Sequence, residues 1–216
     1  FDNSVLRNHI YAQDAWDLEK GQSDVVVAVL DTGTRVIPLI DDDGCVRRYP
    51  HPDLGDYDRE MDDQGIVHYT YGGNGRLLRG YSFTYAYDQR SDEAPSDEDE
   101  DSGWSSHGTS VAGCIAAKTN NAAGVAGLCW NNVWVLPMRV GPDGMYGIPT
   151  DCVISAIMAC TIWRGSYSGG DTSLRVNVIN MSLGGQYPSL AELSAIRHAV
   201  RMGIVVVASA GNSWNS

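Results

Sequence analysis

Trp104-Ser-Ser-His-Gly-Thr-Ser-Val-Ala-Gly-Cys114 is the segment from which the predicted fold follows. It places His107 at the start of a predicted helix that extends to about Ala117 and carries mostly small side chains. Small side chains let a helix approach a neighbouring strand closely, so the imidazole can be held at one angle and one depth. Proton transfer needs a ring that is fixed in this way. The segment therefore indicates a functional histidine rather than a surface one.

Three apolar runs of strand length occupy the chain on either side of this helix. The runs, with the residues that end them, are Asp24–Asp31, Val176–Ser182 and Gly203–Asn212. Each run changes abruptly to carboxylate, hydroxyl, glycine or amide residues, which indicates a buried strand followed by a turn. Chemistry in open parallel sheets collects at the carboxyl ends of the strands. We therefore expect Asp31, His107 and Asn212 to lie near one edge of a sheet.

Strand and helix patterns alternate along the whole chain. The patterns predict a helix at Ala12–Glu19 with Trp16 and Leu18 inward, a strand at Val133–Val140, a helix capped by Asp151, and a helix that begins at the capping box Ser189-Leu-Ala-Glu192 and ends at Gly203. Such alternation implies parallel strands joined by crossover helices. The predicted fold class is α/β, with a parallel β-sheet and helices on both faces.

Length and charge limit the class of protein. The 216 residues can bury one core, and we expect a single domain across residues 1–216. A formal net charge of -12 argues against nucleic acid and anionic membranes as partners. No apolar run approaches the roughly 20 residues that cross a bilayer. Because the chain opens at Phe1 rather than Met, we expect a matured or excised piece.

Residues 34 to 104 are predicted to be a polar insertion. Short strands are predicted within it at Tyr69–Tyr71 and Arg79–Phe83. The segment Asp88–Asp101 carries eight carboxylates against Arg90 alone. That composition is typical of a solvated surface segment that does not fold by itself.

The five cysteines leave the disulfide pattern open. Cys114 and Cys129 bracket a loop and could form a disulfide or remain buried thiols. Cys152 and Cys160 would lie about 12 Å apart by helical rise, which is too far for a disulfide. Cys45 falls in the polar insertion and has no evident partner in the sequence.

Four segments resemble, in order, the motifs of the subtilisin-like serine endopeptidases, the subtilase or peptidase S8 family. They are the strand that ends in Asp31-Thr-Gly33, the helix His107-Gly-Thr-Ser-Val-Ala-Gly113, the segment Ser182-Leu-Gly-Gly185 and the segment Ala210-Gly-Asn212. The resemblance extends from about Ala12 to Asn212 and implies a subtilisin-like three-layer α/β/α fold that is incomplete at its C-terminus. It also implies that the nucleophilic serine, in Gly-Thr-Ser-x-Ala-x-Pro, lies in sequence beyond Ser216.

The resemblance assigns catalytic roles to three residues. Asp31 would accept a hydrogen bond from His107 and fix its tautomer, and His107 would act first as general base and then as general acid. Asn212 would donate its side-chain amide to the developing oxyanion. Ser110 copies part of the missing motif, but Val-Ala-Gly follows it, so it is not expected to be the nucleophile.

The resemblance also implies a groove for an extended peptide. One side is an open strand edge on which the peptide adds as a further strand, formed by Ser182, Leu183, Gly184 and Gly185. Gly144 and Met145 resemble the opposite side, although an ordinary glycine-rich turn is the other interpretation. The segment from Ser209 to Gly211 would form a wall of a pocket for a medium or large apolar side chain.

A structural Ca2+ is implied in the same way. Asp53, in His51-Pro-Asp-Leu54, and the loop residues Asn121, Ala123 and Val125 match positions that bind calcium through carboxylate, amide and carbonyl oxygens. The loop between His107 and Gly124 is one residue longer than the common form, which leaves the geometry open. The acidic insertion is either a second calcium-binding segment or a solvated loop.

The sequence therefore predicts an extracytoplasmic serine endopeptidase, secreted or at the cell surface, that uses an Asp-His-Ser mechanism. Its partners would be a peptide or protein substrate, a C-terminal remainder that carries the serine and, as a further option, an inhibitory propeptide. The chain alone is expected to be inactive. The alternative is a catalytically inactive peptide-binding or scaffold module. An aspartic peptidase is disfavoured because alternating helices oppose an all-strand fold, and a dinucleotide-binding domain because no Gly-x-Gly-x-x-Gly follows the first strand.

Overall fold

The computed structural model describes most of the chain between residues 10 and 211. The described residues are 10–34, 36–40, 46–50, 53–54, 57–61, 67–71, 76–78, 80–84, 107–120, 122, 124–130, 132–141, 147–165, 173–185 and 187–211. The elements in chain order are α1 (Ala12–Trp16), β1 (Val26–Asp31), β2 (Val36–Ile40), β3 (Val46–Pro50), β4 (Tyr57–Met61), β5 (Val67–Tyr71), β6 (Tyr81–Ser82), α2 (His107–Ala116), β7 (Trp134–Arg139), α3 (Thr150–Ile162), β8 (Val176–Met181), α4 (Leu190–Arg201) and β9 (Val205–Ala208).

Five parallel strands form the main sheet, in the order β6-β7-β1-β8-β9. Strand β1 lies at its centre and all six of its residues are buried. A continuous run of buried Val, Ala and Leu is typical of a parallel strand whose two faces are both covered. The predicted parallel sheet is therefore confirmed.

Helices cover both faces of this sheet. Side chains alternate across a strand, so neighbouring residues of β1 face opposite sides. Val27 and Val29 pack in one cluster with Ala112 and Ala116 of α2. The cluster on the other face is larger and combines residues of β1, α3 and α4, among them Val26, Ala28, Leu30, Val153, Ile157, Ala195 and Ala199. The α/β fold with helices on both faces agrees with the prediction.

Parts of the segment predicted to be a polar insertion contribute to this core. Leu54, Leu77 and Leu78 are buried, and Leu77 bridges to Val135 of β7. Strand β6 falls within the predicted strand Arg79–Phe83, and β5 contains the predicted strand Tyr69–Tyr71. Two antiparallel ribbons, β2-β3 and β4-β5, were not predicted as pairs. The acidic segment 88–101 lies outside the described residues.

Helix α1 is shorter than predicted and exposes one residue that was expected inside. It ends at Trp16, and Leu18 is 89% exposed because the chain has already left the helix at that point. Trp16 itself is half-buried, as its indole N–H donates to the carbonyl oxygen of Leu128 at 2.7 Å and its ring contacts Trp130 edge-on. The inward placement of Leu18 was therefore wrong.

The starts of α3 and α4 differ in how well the sequence predicted them. The amide of Glu192 donates to Ser189 Oγ at 3.2 Å at the start of α4, as the capping box predicts. Gly203 follows α4 with a φ of 85°, a conformation that glycine adopts without strain. Helix α3 instead has Pro149 as its N-cap, and Asp151 lies inside the first turn, where it accepts from the amide of Cys152. The assignment of Asp151 as the cap was wrong.

Four of the five cysteines lie in the described part of the chain, and all four are free thiols. Cys114 and Cys129, the pair considered for a disulfide, are exposed and half-buried respectively. Cys152 and Cys160 are buried in α3. Burial raises the pKa of the Cys160 thiol to about 12. Cys45 lies outside the described residues.

Candidate active site

The carboxyl end of β1 brings Asp31 into contact with His107. Asp31 is the last residue of the strand and only 2% exposed, whereas His107 is the first residue of α2 and its side chain is 46% exposed. The distance between His107 Nδ1 and Asp31 Oδ1 is 2.7 Å. Because Nδ1 faces the carboxylate, Nε2 is the ring nitrogen that can exchange a proton with a third group.

Gly108 allows α2 to approach the turn after β1. A Cβ atom at Gly108 would overlap the carbonyl oxygen of Gly33, and the backbone of that turn lies directly beneath the helix. The buried residues of α2 are all small: Gly108, Ala112, Gly113 and Ala116. The close approach predicted from the small side chains is therefore confirmed, and it fixes the depth of His107.

Hydrogen bonds to the Asp31 carboxylate are unevenly distributed over its two oxygens. Oδ1 accepts from His107 Nδ1 and from the amide of Thr32, which lies 2.8 Å away. Oδ2 is buried and has no hydrogen-bond partner in the described part of the chain.

The four residues after β8 continue along the sheet edge. Ser182 and Leu183 are half-buried, while Gly184 and Gly185 are exposed. Apart from its two chain neighbours, no described residue lies within 4 Å of a Cβ atom placed at Gly184.

Ser209 ties this segment to the end of β9. Its amide donates to the carbonyl oxygen of Met181 at 3.1 Å, and its hydroxyl donates to that of Leu183 at 3.0 Å. Gly211, two residues later, is exposed and has a φ of 81°. Ser209, which the sequence placed in the wall of the expected pocket, thus joins the two segments expected to flank a substrate side chain.

Five of the predicted site residues fall in parts of the chain that the structure does not describe. Outside the described residues lie Asn212, Gly144, Met145, Asn121 and Ala123. Their expected roles in oxyanion binding, substrate binding and calcium binding therefore remain predictions.

The two described residues of the expected calcium site lie together. Asp53 is buried, and its Oδ2 accepts from the amide of Val125 at 2.7 Å. Its carbonyl oxygen accepts from the amide of Lys118 at 2.8 Å. Gly124, with a φ of 57°, lies so close to the Asp53 carboxylate that a Cβ atom there would overlap it. A buried carboxylate against a backbone loop fits the oxygen donor set that Ca2+ prefers, although no cluster of three or more acidic, His or Cys side chains suitable for a metal occurs among the described residues.

Comparison with known proteins identifies the family. The model of the Subtilase family, Peptidase S8, matches residues 22–216. A thermophilic serine proteinase from Bacillus sp. (strain AK1) is 32% identical over 206 residues, which cover 95% of this chain and 37% of the relative. An extracellular protease from Xanthomonas campestris pv. campestris is 33% identical over 221 residues, which cover 92% of this chain and 31% of the relative.

One solved structure is similar to this chain in both fold and sequence. It is of a protease from Pseudoalteromonas arctica, with a TM-score of 0.62 and 32% identity, over 94% of this chain and 56% of that one. This chain thus spans about a third of the length of the two sequence relatives and about half of the solved structure. The family model covers nearly the whole sequence, and the two segments that resemble the first two motifs of the family bring Asp31 and His107 into contact. The chain therefore belongs to the subtilase family.

Proposed function

We propose that the natural protein carrying this chain is a serine endopeptidase in which Asp31 and His107 serve an Asp-His-Ser mechanism. The observation that carries this proposal is the 2.7 Å contact between His107 Nδ1 and Asp31 Oδ1 at the carboxyl edge of the sheet. A buried carboxylate that orients a half-exposed imidazole is the arrangement that general base catalysis requires. The similarity to a thermophilic serine proteinase from Bacillus sp. (strain AK1) supports the same reaction.

The two ring nitrogens of His107 have different roles in the proposed reaction. Asp31 keeps the proton of the neutral imidazole on Nδ1, so Nε2 accepts the proton of the serine hydroxyl while its oxygen forms a bond to the substrate carbonyl carbon. The imidazolium then gives that proton to the leaving amine as the peptide bond breaks. A water molecule repeats the sequence to release the acyl group. Asp31 remains ionised throughout and stabilises the imidazolium.

The nucleophile of this mechanism is proposed to come from sequence beyond Ser216. Strand β9 supports that idea, because it is the edge strand of the sheet and exposes apolar side chains: Val205 is 59% exposed and Val207 is 49% exposed. Apolar side chains along an open edge are typical of a surface that further chain covers. The 216 residues alone would therefore be inactive, although they hold the acid and the base.

The proposed substrate is an extended peptide. Its backbone would pair with the open segment Ser182–Gly185, with Gly144 and Met145 on its other side. Gly211 would line the pocket for an apolar side chain, and Asn212 would stabilise the oxyanion through its amide. The exposed backbone at Gly184 supports this placement, because it leaves room for another strand.

Two further proposals concern stability and location. Ca2+ would be held by Asp53 and by oxygens of Asn121, Ala123 and Val125, and it would stabilise the loop after α2. Secretion would fit a relative named an extracellular protease. In the described part of the chain, no helix is both long and apolar enough to span a bilayer.

A fluorophosphonate probe applied to the complete natural protein tests the enzymatic proposal. This reagent forms a covalent adduct with a serine that a neighbouring base has activated, and the adduct is measured as a mass increase on one peptide. We expect labelling of the wild type and little or none of a folded His107→Ala variant. If the folded wild type forms no adduct, the protein is an inactive peptide-binding or scaffold module instead.

A further inference from the structure

Thr32 lies between the carboxylate of Asp31 and the first turn of α2. Its amide donates to Asp31 Oδ1 at 2.8 Å. Its hydroxyl oxygen accepts from the amide of Gly108 at 3.0 Å and lies 3.4 Å from the same Asp31 oxygen. One side chain thus contacts both the strand that carries Asp31 and the residue that follows His107.

The hydroxyl is suited to this double contact. A threonine hydroxyl has one proton and two lone pairs, so it can donate to Asp31 while it accepts from Gly108. The first amides of an α-helix have no partner within the helix. The amide of Gly108 is one of these, and Thr32 supplies the acceptor that it needs.

The end of β1 is held in place by more contacts than the start of α2. Asp31 is fixed by the parallel pairing of β1 with β7, in which it lies opposite Arg139. His107 is a terminal residue of its helix, and its side chain is nearly half exposed. Helix ends fray unless something holds them, so the link from Thr32 to Gly108 restrains the part of α2 on which the position of the imidazole depends.

We propose that Thr32 is a positioning residue that holds the imidazole of His107 against Asp31 by anchoring the start of α2 to the end of β1. This inference deepens the proposed peptidase function and rests on it for its effect on rate. The effect of Thr32 on the contact between His107 and Asp31 can be tested without any measurement of activity. The hydroxyl, rather than the size of the side chain, carries the effect.

Two substitutions separate the hydroxyl from the shape of the side chain. Thr32→Val keeps a β-branched side chain of similar volume and leaves the amide of Gly108 without its acceptor. Thr32→Ser keeps the hydroxyl and removes only the methyl group. Both are made in the complete natural protein, and thermal unfolding followed by circular dichroism shows that each is folded.

The first measurement is the proton resonance of His107 Nδ1–H by NMR, which reports the hydrogen bond to Asp31 directly. We expect Thr32→Val to shift this resonance to higher field and to speed its exchange with water, while Thr32→Ser leaves it near the wild-type position. An unchanged resonance in folded Thr32→Val would overturn the proposal.

The second measurement is the hydrolysis of a peptide substrate. A displacement of about 1 Å at a catalytic group can cost on the order of 100-fold in rate. We therefore expect Thr32→Val to lose about 10- to 100-fold in kcat with little change in KM, and Thr32→Ser to stay close to wild type. Equal kcat in all three proteins would also overturn the proposal. A wild type that neither cleaves peptides nor reacts with the probe would refute the peptidase function alone, since the NMR comparison still tests Thr32.

A third measurement uses the wild type alone, so it tests the proposal even if Thr32→Val does not fold. Hydrogen exchange of the Gly108 amide is followed in the wild type. Although this amide lies in the first turn, we expect it to be protected because Thr32 accepts its hydrogen bond. Exchange at the rate of an unprotected amide would contradict the proposed anchor.

Discussion

Gly108 packs directly on Gly33, with no room for a side-chain carbon between the backbone of α2 and the turn that follows Asp31. This contact joins the two elements that carry Asp31 and His107. The 2.7 Å contact of Asp31 with His107 therefore depends on the absence of a Cβ atom one residue after the histidine.

We expect Gly108→Ala to destabilise the protein and to reduce activity. The added methyl group would overlap the carbonyl oxygen of Gly33, and overpacking of this kind costs about 1–3 kcal/mol. The helix can relieve the overlap only by moving away from β1, which separates His107 from Asp31. Thermal unfolding and peptide hydrolysis of the complete protein measure the two effects.

Gly113→Ala is the matched control in the same helix. A Cβ atom at Gly113 would meet only the side chain of Val125, at an ordinary contact distance of 3.7 Å. Alanine is favoured over glycine inside a helix by roughly 1 kcal/mol, so we expect unchanged or slightly increased stability. Equal destabilisation by both substitutions would show that the contact with Gly33 has no special role.

The N-cap of α4 gives a prediction that is independent of the active site. Ser189→Ala removes the oxygen that accepts from the amide of Glu192, and the loss of such a cap costs about 1 kcal/mol. Ser194→Ala, at an exposed position inside the same helix, should leave the free energy of unfolding nearly unchanged. Denaturant unfolding compares the two variants, and equal midpoints would refute the assigned cap.

Calcium is expected to raise the melting temperature through Asp53. Asp53→Asn removes the negative charge but keeps an oxygen that can accept from the amide of Val125. We therefore expect the rise in melting temperature on adding calcium to disappear in Asp53→Asn, while the melting temperature in chelator stays near that of wild type. Asp14→Asn, at an exposed carboxylate in α1, should keep the response. If calcium does not change the melting temperature of the wild type, the proposed calcium site is ruled out.

The buried thiol of Cys160 should make stability depend on pH in the alkaline range. Burial raises its pKa from the ordinary 9.0 to about 12. Between these values the unfolded chain loses the proton and the folded chain keeps it, so stability that is fully present below pH 9.0 falls as the pH rises towards 12. In Cys160→Ala this part of the decline should be absent. An identical slope in both proteins, measured by denaturant unfolding from pH 8 to pH 11, would contradict the assigned pKa.

The sequence predicted the elements whose patterns are local and strong. Strand β1 is a continuous apolar run that ends in Asp31, and α2 carries the small residues that its close packing requires, so both could be predicted from the residues themselves. Leu18 was misplaced because a helical pattern that continues past Trp16 does not show where the chain leaves the helix. The hydrogen bond between Thr32 and Gly108 and those of Ser209 join residues distant in sequence, and no local pattern indicates them.

The aspartic peptidase alternative is excluded by the fold. An aspartic peptidase uses two Asp-Thr/Ser-Gly motifs, and the sequence contains Asp31-Thr-Gly33 and also Asp101-Ser-Gly103, which lies outside the described residues. A parallel sheet with helices on both faces and a match to the Subtilase family over residues 22–216 oppose that class of enzyme independently of any motif.

A kinetic double-mutant cycle on Asp31 and His107, in the complete natural protein, tests most directly whether the two residues act as one catalytic unit. Loss of the carboxylate in Asp31→Asn should reduce kcat on the order of 10^4-fold, and His107→Ala should cost at least as much. Since each residue acts through the other, we expect the double variant to be no slower than the slower single variant. Losses that multiply in the double variant, or a single variant that keeps wild-type kcat, would contradict a shared role for this pair.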